Sequence, residues 1–151
     1  MTTLHINNKS HYKDFIVLNE LWITEYFTLE PGDIALAKNP DSVVENGGYI
    51  LSLLESDTVI GVCALFNQDY GNYELARLAV DERYRKKGHG DTLIKAVLAV
   101  LKNNGIKKVN LMSNTKLSNA ISLYRKNGFK TVSEGVHPIY SRCNITMERE
   151  I

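Results

Sequence analysis

The residues best suited to chemistry in this chain lie in the basic turn Arg85–Gly90, whose sequence is RKKGHG. The turn follows a strand-like segment, residues 73–81, and precedes a strongly periodic helix predicted from Asp91 to Asn104. Where a glycine turn enters a helix, several backbone N–H groups lack partners and the helix dipole adds positive charge. With three cations in the turn itself, this pattern predicts a cradle for a pyrophosphate group.

Two better-known phosphate motifs do not fit this turn. A dinucleotide fingerprint requires a third glycine three positions after the second, where Leu93 stands. A Walker A loop requires Gly-Lys-Ser or Gly-Lys-Thr, and the chain contains neither. A basic surface turn capped by glycine, with no ligand, stays open as the alternative.

Composition favours one ordinary globular domain over residues 1–151, with 44% hydrophobic and 23% charged residues. A net charge of +1 gives no indication of nucleic acid or an anionic membrane as a partner. No apolar stretch reaches the length of a membrane span, and the N-terminus lacks a signal-peptide pattern. Cys63 and Cys143 lack metal-ligand spacing and are interpreted as reduced thiols, so a cytoplasmic location is expected.

Hydrophobic periodicity predicts the element order βααβββαβαββ, an antiparallel meander followed by a βαβ crossover. The predicted strands are residues 4–7, 49–54, 59–67, 73–80, 108–113, 129–133 and 143–148. The predicted helices are residues 12–27, 31–39, 91–104 and 118–127, with Gly105 and Gly128 ending the last two. Such an order makes an α/β (α+β) domain in which a mixed sheet carries helices on both faces.

Four blocks, taken in order and spacing, resemble the GCN5-related N-acetyltransferase (GNAT) superfamily over essentially the whole chain. The blocks are residues 73–80 (YELARLAV), Arg85-x-x-Gly88-x-Gly90, residues 111–120 (LMSNTKLSNA) and residues 123–129 (LYRKNGF). The ending Tyr140-x-Arg142-x-Asn144-Ile145-x-Met147 is similar to that of the acetyltransferase half of some bacterial regulator–acetyltransferase fusions.

The resemblance implies a GNAT-like, mostly antiparallel sheet of about seven strands flanked by about four helices. It implies direct transfer of an acetyl group from acetyl-CoA to a primary amine, in a small molecule or peptide, within a ternary complex. Acetyl-CoA would lie in a V-shaped opening between the parallel strands 73–80 and 108–113. No metal cofactor and no nucleic-acid or membrane partner is expected. The resemblance also allows a homodimer, since members of the family often dimerise. A non-catalytic acyl-CoA-binding or sensing module and the use of another acyl-CoA remain alternatives.

A break in alternation supports the β-bulge that the resemblance implies in the strand over residues 73–80. Leu75 has odd parity whereas Leu78 and Val80 have even parity, as an inserted residue would cause. The alternative is a strand that is apolar on both faces. A bulge would free backbone groups to pair with pantetheine and to polarise the thioester carbonyl.

The resemblance assigns cofactor binding to the end of this strand, to the cradle and to the start of the helix over residues 118–127. The expected residues are Leu78, Ala79, Val80, Arg85, Lys86, Lys87, Gly88, His89, Gly90, Asp91 and Asn119. Lys86 stands where the family often has glycine, so it lacks glycine's freedom at positive φ. His89 is expected to contribute its backbone, and the Asp91 side chain is expected to face solvent.

Two residues are expected to carry the acid–base chemistry. Glu74 is the candidate base, because burial in an apolar strand would raise its pKa towards a useful value. The alternative for Glu74 is an ion pair across the sheet. Tyr124 matches the family tyrosine that protonates the departing thiolate, and a core tyrosine is the alternative.

The remaining candidates belong to the acceptor side of the site or to the scaffold. Tyr140 and Arg142 are candidates for an acceptor pocket, where Arg142 would suit a carboxylate, and a structural salt bridge is the alternative. Asn114 could hold a loop or touch the ligand. The other aromatic and histidine residues considered are Trp22, Tyr26 and Phe27, as acceptor wall or core, and His5, His11 and His137, as surface or loop residues.

Overall fold

The computed structural model describes residues 1–136 and 140–151, so the expectation for His137 lies outside the described residues. The strands are β1 (Thr2–Ile6), β2 (Tyr49–Glu55), β3 (Thr58–Asn67), β4 (Asn72–Val80), β5 (Lys108–Ser113), β6 (Lys130–Glu134) and β7 (Ile145–Glu150). The α-helices are α1 (Tyr12–Tyr26), α2 (Pro31–Lys38), α3 (Asp41–Glu45), α4 (His89–Asn103) and α5 (Ser118–Lys126). Short 3-10 turns cover Lys9–His11 and Glu82–Tyr84.

All seven strands join one sheet in the order β1-β2-β3-β4-β5-β7-β6. Every neighbouring pair is antiparallel except β4 and β5, which are parallel because α4 crosses over between them. The predicted mixed sheet is therefore confirmed. The last strand inserts between β5 and β6, and it begins and ends two residues later than the sequence predicted.

The described residues form five α-helices, where about four were expected. The additional helix, α3, is only five residues long and follows Pro40, so it is too short for a periodic pattern to reveal it. Its one buried residue, Val43, packs beneath β2 and β3. Helix α4 begins at His89, two residues earlier than predicted, because Gly88 adopts the left-handed conformation and caps it.

Two apolar cores lie on opposite faces of the sheet. On one face, Leu93, Ile94 and Val97 of α4 and Ile121 of α5 pack against the central strands. On the other face, α1 and α3 cover β2, β3 and β4. Both faces of the central strands are thus buried, as the near-continuous apolar runs of β2 and β3 require.

The histidines near the N-terminus are placed partly as expected. His5 lies within β1 rather than in a loop, and His11 lies in the first 3-10 turn. Both are half-buried, and their rings meet edge-to-face at a centroid distance of 5.0 Å. Within the described residues, no helix combines the length and apolarity that crossing a bilayer requires.

Candidate functional site

Strand β4 carries the predicted bulge. Val62 and Ala64 of β3 pair with Ala79 and Ala76, so two residues of β4 oppose one residue of β3. Arg77 lies in this bulge with a φ of 60°, a conformation that costs a non-glycine residue about 1 to 3 kcal/mol. The parity break in the sequence is thereby explained, because Leu75 before the bulge and Leu78 after it contact the same core.

The parallel strands β4 and β5 are paired over their first four residues and separate after that. Their pairing ends at Leu75 and Leu111, although β4 continues to Val80 and β5 to Ser113. A cleft of about 340 Å³ fills the gap and is lined from both faces of the sheet, by α1 on one side and α5 on the other. The opening predicted between these two strands is therefore present, and the bulge forms one of its walls.

The cleft brings together the two candidate catalytic residues and part of the expected cofactor site. Its wall includes Glu74, Leu78, Ala79, Val80, Arg85 and Tyr124. The cradle residues beyond Arg85 lie outside the cleft, on the adjoining surface, with Lys86, Lys87 and Gly88 exposed. Asn119 is exposed on the first turn of α5 and is not part of the wall.

The cradle, residues 85–91, combines a left-handed turn with the start of α4. Lys86 and Gly88 have φ values of 63° and 83°, so Lys86 occupies the strained conformation that a glycine would adopt freely. The N–H of Thr92 bonds to the Gly88 carbonyl, which leaves the N–H groups of residues 89–91 at the open end of the helix. Such a helix end is suited to an anion.

Two members of the cradle have structural contacts that the sequence did not indicate. The Asp91 carboxylate turns towards Lys95 and accepts a hydrogen bond of 2.9 Å from Asn127 at the end of α5, so it lies half-buried rather than free in solvent. Gly90 lies against α5, where an added Cβ would be 3.1 Å from Leu123. Gly90 therefore also permits the close approach of two helices.

Arg85 links the cradle to the opposite face of the sheet. Its guanidinium pairs with the Glu25 carboxylate of α1 at 3.0 Å, and its Nε donates to the Val80 carbonyl at 3.2 Å. The hydrogen bond from Arg85 lowers the pKa of Glu25 below its ordinary value. Arg85 is therefore held at the cleft edge instead of extending freely into solvent.

Glu74 lies on the cleft wall as a half-buried carboxyl. Burial raises its pKa to about 7, although the charge of Arg77 and a hydrogen bond from Gln68 oppose the rise. The Gln68 amide donates to Glu74 at 3.2 Å and accepts from Asn110 at 2.7 Å, which orients it. The expected pKa rise is confirmed, and no cross-sheet ion pair to Glu74 occurs among the described residues.

Tyr124 approaches the cleft from α5, on the other side of the opening. Its ring packs edge-on against Phe129 at a centroid distance of 6.0 Å and joins the core on the α4 face. Burial raises the pKa of its phenol, which therefore keeps its proton at neutral pH. Tyr124 is thus both a packed core residue and a phenol at the cleft surface.

Four charged residues form a buried network that the sequence did not predict, here called the ion cluster: Glu30, Asp33, Arg77 and Arg142. Asp33 is 2% exposed and bonds to both arginines, directly to Arg77 and at 2.6 and 2.7 Å to Arg142. Glu30 accepts from Arg142 at 3.1 Å. Burial would raise the pKa of Asp33, but the hydrogen bonds from Arg142 and from the Glu30 N–H, with both arginine charges, lower it.

The ion cluster joins the bulge to α2 and to the segment before β7. The Tyr140 hydroxyl accepts a hydrogen bond of 3.0 Å from Arg77, and its ring lies 4.7 Å from the Arg142 guanidinium. Tyr140 also packs on Gly32, where an added Cβ would overlap its hydroxyl. Tyr140 and Arg142 do line the cleft, yet Arg142 is engaged in the salt bridge that the sequence left as the alternative.

The remaining candidates divide between the cleft and the scaffold. Trp22 and Phe27 line the cleft, whereas Tyr26 is 43% exposed and contacts their rings without being part of the wall. Asn114 lines the cleft and also holds its loop, because its amide donates to the Arg142 carbonyl at 2.8 Å. Near Asp33 the sequence predicted only the helix over residues 31–39, and that pattern carries no information about partners 44 and 109 residues away.

The chain is similar to known proteins over nearly its full length. The Acetyltransferase (GNAT) family model matches residues 14–129. The chain is 28% identical over 139 residues to the uncharacterized N-acetyltransferase YobR of Bacillus subtilis (strain 168). That alignment covers 89% of this chain and 55% of the relative, so the chain spans about half the length of that curated protein.

Solved structures share the fold. An acetyltransferase of the GNAT family from Staphylococcus aureus Mu50 superposes with a TM-score of 0.87 at 20% identity, covering 99% of both chains. A Bacillus subtilis acetyltransferase in complex with CoA superposes with a TM-score of 0.77 at 18% identity, covering 100% of this chain and 99% of its own. The family match, covering more than half of the chain, and this shared fold show that the chain belongs to the acetyltransferase (GNAT) family of acyltransferases.

Proposed function

We propose that this protein transfers an acetyl group from acetyl-CoA to a primary amine by direct attack within a ternary complex. The observation that carries the proposal is the cleft between β4 and β5, which combines a raised-pKa carboxyl, a buried phenol and a bulged strand. Acetyl-CoA, which supplies the activated acyl group, suits the residues present because the cleft adjoins a helix end with free N–H groups and three basic side chains.

Each residue has a defined part in this proposal. Glu74 accepts the proton that the ammonium must lose before it can attack, directly or through a water molecule. A carboxyl with a pKa of about 7 is suited to that role at neutral pH, since it is partly ionised yet basic. Tyr124 donates its proton to the departing sulfur, and the backbone freed by the bulge polarises the acyl carbonyl.

The cofactor residues act through position and charge. Leu78, Ala79 and Val80 present strand edges to the pantetheine arm, because β4 lacks its β5 partner there. The N–H groups of residues 89–91 and the side chains of Lys86 and Lys87 bind the diphosphate. Asn119 is proposed to contact the pantetheine from the surface, since it lies outside the cleft wall.

Thiol release from acetyl-CoA in the presence of a panel of amines tests this function. Glu74→Gln and Tyr124→Phe should each lower acceptor-dependent kcat by about 10²- to 10⁴-fold while leaving the CoA dissociation constant unchanged. Tyr73→Phe is a matched control, because the Tyr73 hydroxyl bonds to the Gly47 carbonyl at 2.8 Å and does not line the cleft. The control should keep its turnover within about twofold of wild type.

The alternatives correspond to other outcomes of the same assay. Tight CoA binding without turnover on any amine would favour a binding or sensing module over an enzyme. Faster thiol release from propionyl- or succinyl-CoA than from acetyl-CoA would assign a different acyl donor. Failure to bind any acyl-CoA would contradict the cradle itself.

A further inference from the structure

Three arginines line the cleft, and each is already paired with an acid of the same chain. Arg85 pairs with Glu25, whereas Arg77 and Arg142 belong to the ion cluster with Asp33 and Glu30. Among the described wall residues there is no other cation, and Glu74 is the one ionisable group of the wall with an acidic charge. The cleft therefore offers an incoming molecule acidic rather than basic charge.

The ion cluster and Glu74 occupy the same end of the cleft. The charge of Arg77 lowers the pKa of Glu74, which opposes part of its rise. Cys143 also lines the cleft; burial is the main cause of its raised thiol pKa, and the charges of Arg142, Glu74 and Glu30 also affect that pKa. Opposite them, the cradle lies past Val80 and Arg85. An acceptor bound at Glu74 would therefore lie close to the ion cluster.

We propose that the acceptor is a primary amine with no carboxylate beside the reacting nitrogen, and that the ion cluster excludes carboxylated acceptors. This inference rests on the function proposed above. Two arginines and two acids leave the cluster with no net charge, and Asp33 occupies the forked arginine donors that an acceptor carboxylate would use. A carboxylate in the cleft would lose its hydration, gain no unpaired cation and face Glu74, which is partly ionised at neutral pH.

One lysine contacts the cleft wall from outside. Lys116 lies over the ring of Phe27, with its Nζ 4.3 Å from the ring centroid, but it is exposed and is not part of the wall. Its charge is therefore hydrated and screened by solvent. Glu74, in contrast, lies inside the cleft, where an alkylammonium is favoured on entry.

The test compares phenethylamine, phenylalanine amide and phenylalanine as acceptors, with rates expressed per neutral amine. The three share an aromatic side chain, and phenylalanine differs from its amide in charge but hardly in size. We expect the wild-type kcat/KM for phenethylamine and for phenylalanine amide, which lack a carboxylate, to exceed that for phenylalanine by about tenfold or more. Isoamylamine, leucine amide and leucine repeat the comparison with an aliphatic side chain.

Two variants assign the discrimination to the ion cluster. Glu30→Gln removes one acid but keeps an acceptor for the Ser141 N–H, and Glu30 is partly accessible, so folding should survive. The substitution gives the ion cluster a net positive charge. It should therefore lower the ratio of kcat/KM for phenylalanine amide to that for phenylalanine by about threefold or more. Glu25→Gln makes the same change beside Arg85 at the cradle end and should leave the ratio unchanged.

The outcomes separate this inference from the proposed function. The inference is overturned if phenylalanine is acetylated as well as its amide, or if the amide is used as poorly as the acid. It is also overturned if Glu30→Gln leaves the amide-to-acid ratio of kcat/KM unchanged. Competition binding of the three compounds to the CoA-loaded protein gives the same ratio without turnover. Absence of turnover would then refute the transferase while the binding ratio still decides the acceptor class.

Discussion

The two ends of the cleft are built in opposite ways. At the proposed acceptor end, the ion cluster holds four charges, and the side chains of Arg77, Asp33 and Arg142 are only 9%, 2% and 11% exposed. At the proposed donor end, the cradle adjoins the cleft, Lys86, Lys87 and Gly88 are exposed, and the groups proposed to bind CoA are largely backbone N–H groups. The ion cluster is held by side-chain partners from distant parts of the chain, whereas the cradle is held by the local conformation of one turn.

Under the proposed function, this difference would combine a donor site set by local sequence with an acceptor site set by long-range contacts. A helix end with a left-handed turn binds a diphosphate wherever the local sequence allows it. The acceptor end instead depends on α2, the bulge and the segment before β7 meeting in one place. Changes at the acceptor end should therefore affect the whole fold, whereas changes in the cradle should remain local.

The largest expected effect follows from Asp33→Asn. Removing the shared acid leaves two buried arginines with one partially accessible partner, and breaking such a pair costs about 3 to 5 kcal/mol. Urea unfolding measures the loss. Because Asp33 has a lowered pKa, its contribution is full above the unfolded value of about 3.9 and is lost as the pH falls through its folded pKa.

A surface acid provides the control for this prediction. Asp41 pairs with Lys9 at 3.4 Å in an exposed setting, so Asp41→Asn should change the unfolding free energy by no more than about 1 kcal/mol. Equal losses in the two variants would remove the distinction between the acceptor end and an ordinary surface.

The next effect is on the pH dependence of turnover. Glu74 acts as a base only when ionised, so kcat/KM should fall about tenfold per pH unit below about pH 7. In Glu74→Gln this acidic limb should move to higher pH, because only the acceptor's own deprotonation remains. A wild-type profile that is flat between pH 5 and 7 would contradict the assignment of Glu74 as base.

A smaller effect is expected at the cap of α4. Gly88 has a φ of 83° and no atom within 4 Å of an added Cβ, so Gly88→Ala should cost about 1 kcal/mol through backbone strain alone. Its CoA affinity should also fall. Gly105→Ala is matched, with a φ of 68° and open space, yet lies at the other end of α4. If both variants lose CoA affinity equally, the cradle is not the binding site.

The smallest effect is expected for Lys86→Gly. Relieving a φ of 63° should raise the unfolding free energy by up to about 1 kcal/mol, offset in part by the entropy of glycine. Lys87→Gly removes the same charge where φ is not positive and should give no gain. Thermal unfolding of both variants separates the effect of backbone strain from that of charge. A rise in stability in Lys87→Gly alone would contradict the assignment of strain to Lys86.

Much of the donor end could be predicted from the sequence because its determinants are local. The glycine turn before a periodic helix predicted the cradle geometry. At the acceptor end only the bulge was predicted, from the resemblance and from the parity of Leu75, Leu78 and Val80. Helix α3 escaped detection because five residues carry too little periodicity. The dual use of Gly90, as a cradle residue and as the contact to Leu123, also required the packing of two helices.

By itself the sequence determined the mixed sheet, the bulge, the basic helix start and the burial of Glu74, since each depends on patterns within a few residues. The tertiary structure alone decided that Arg142 pairs with Asp33, that β7 inserts between β5 and β6, and that Gln68 and Asn110 orient Glu74. Arg142 and Asp33 are 109 positions apart, and Asn110 is 42 positions from Gln68, although Gln68 itself is only six positions from Glu74. Local propensity contains no term for such partners, which only the folded chain brings within hydrogen-bond distance.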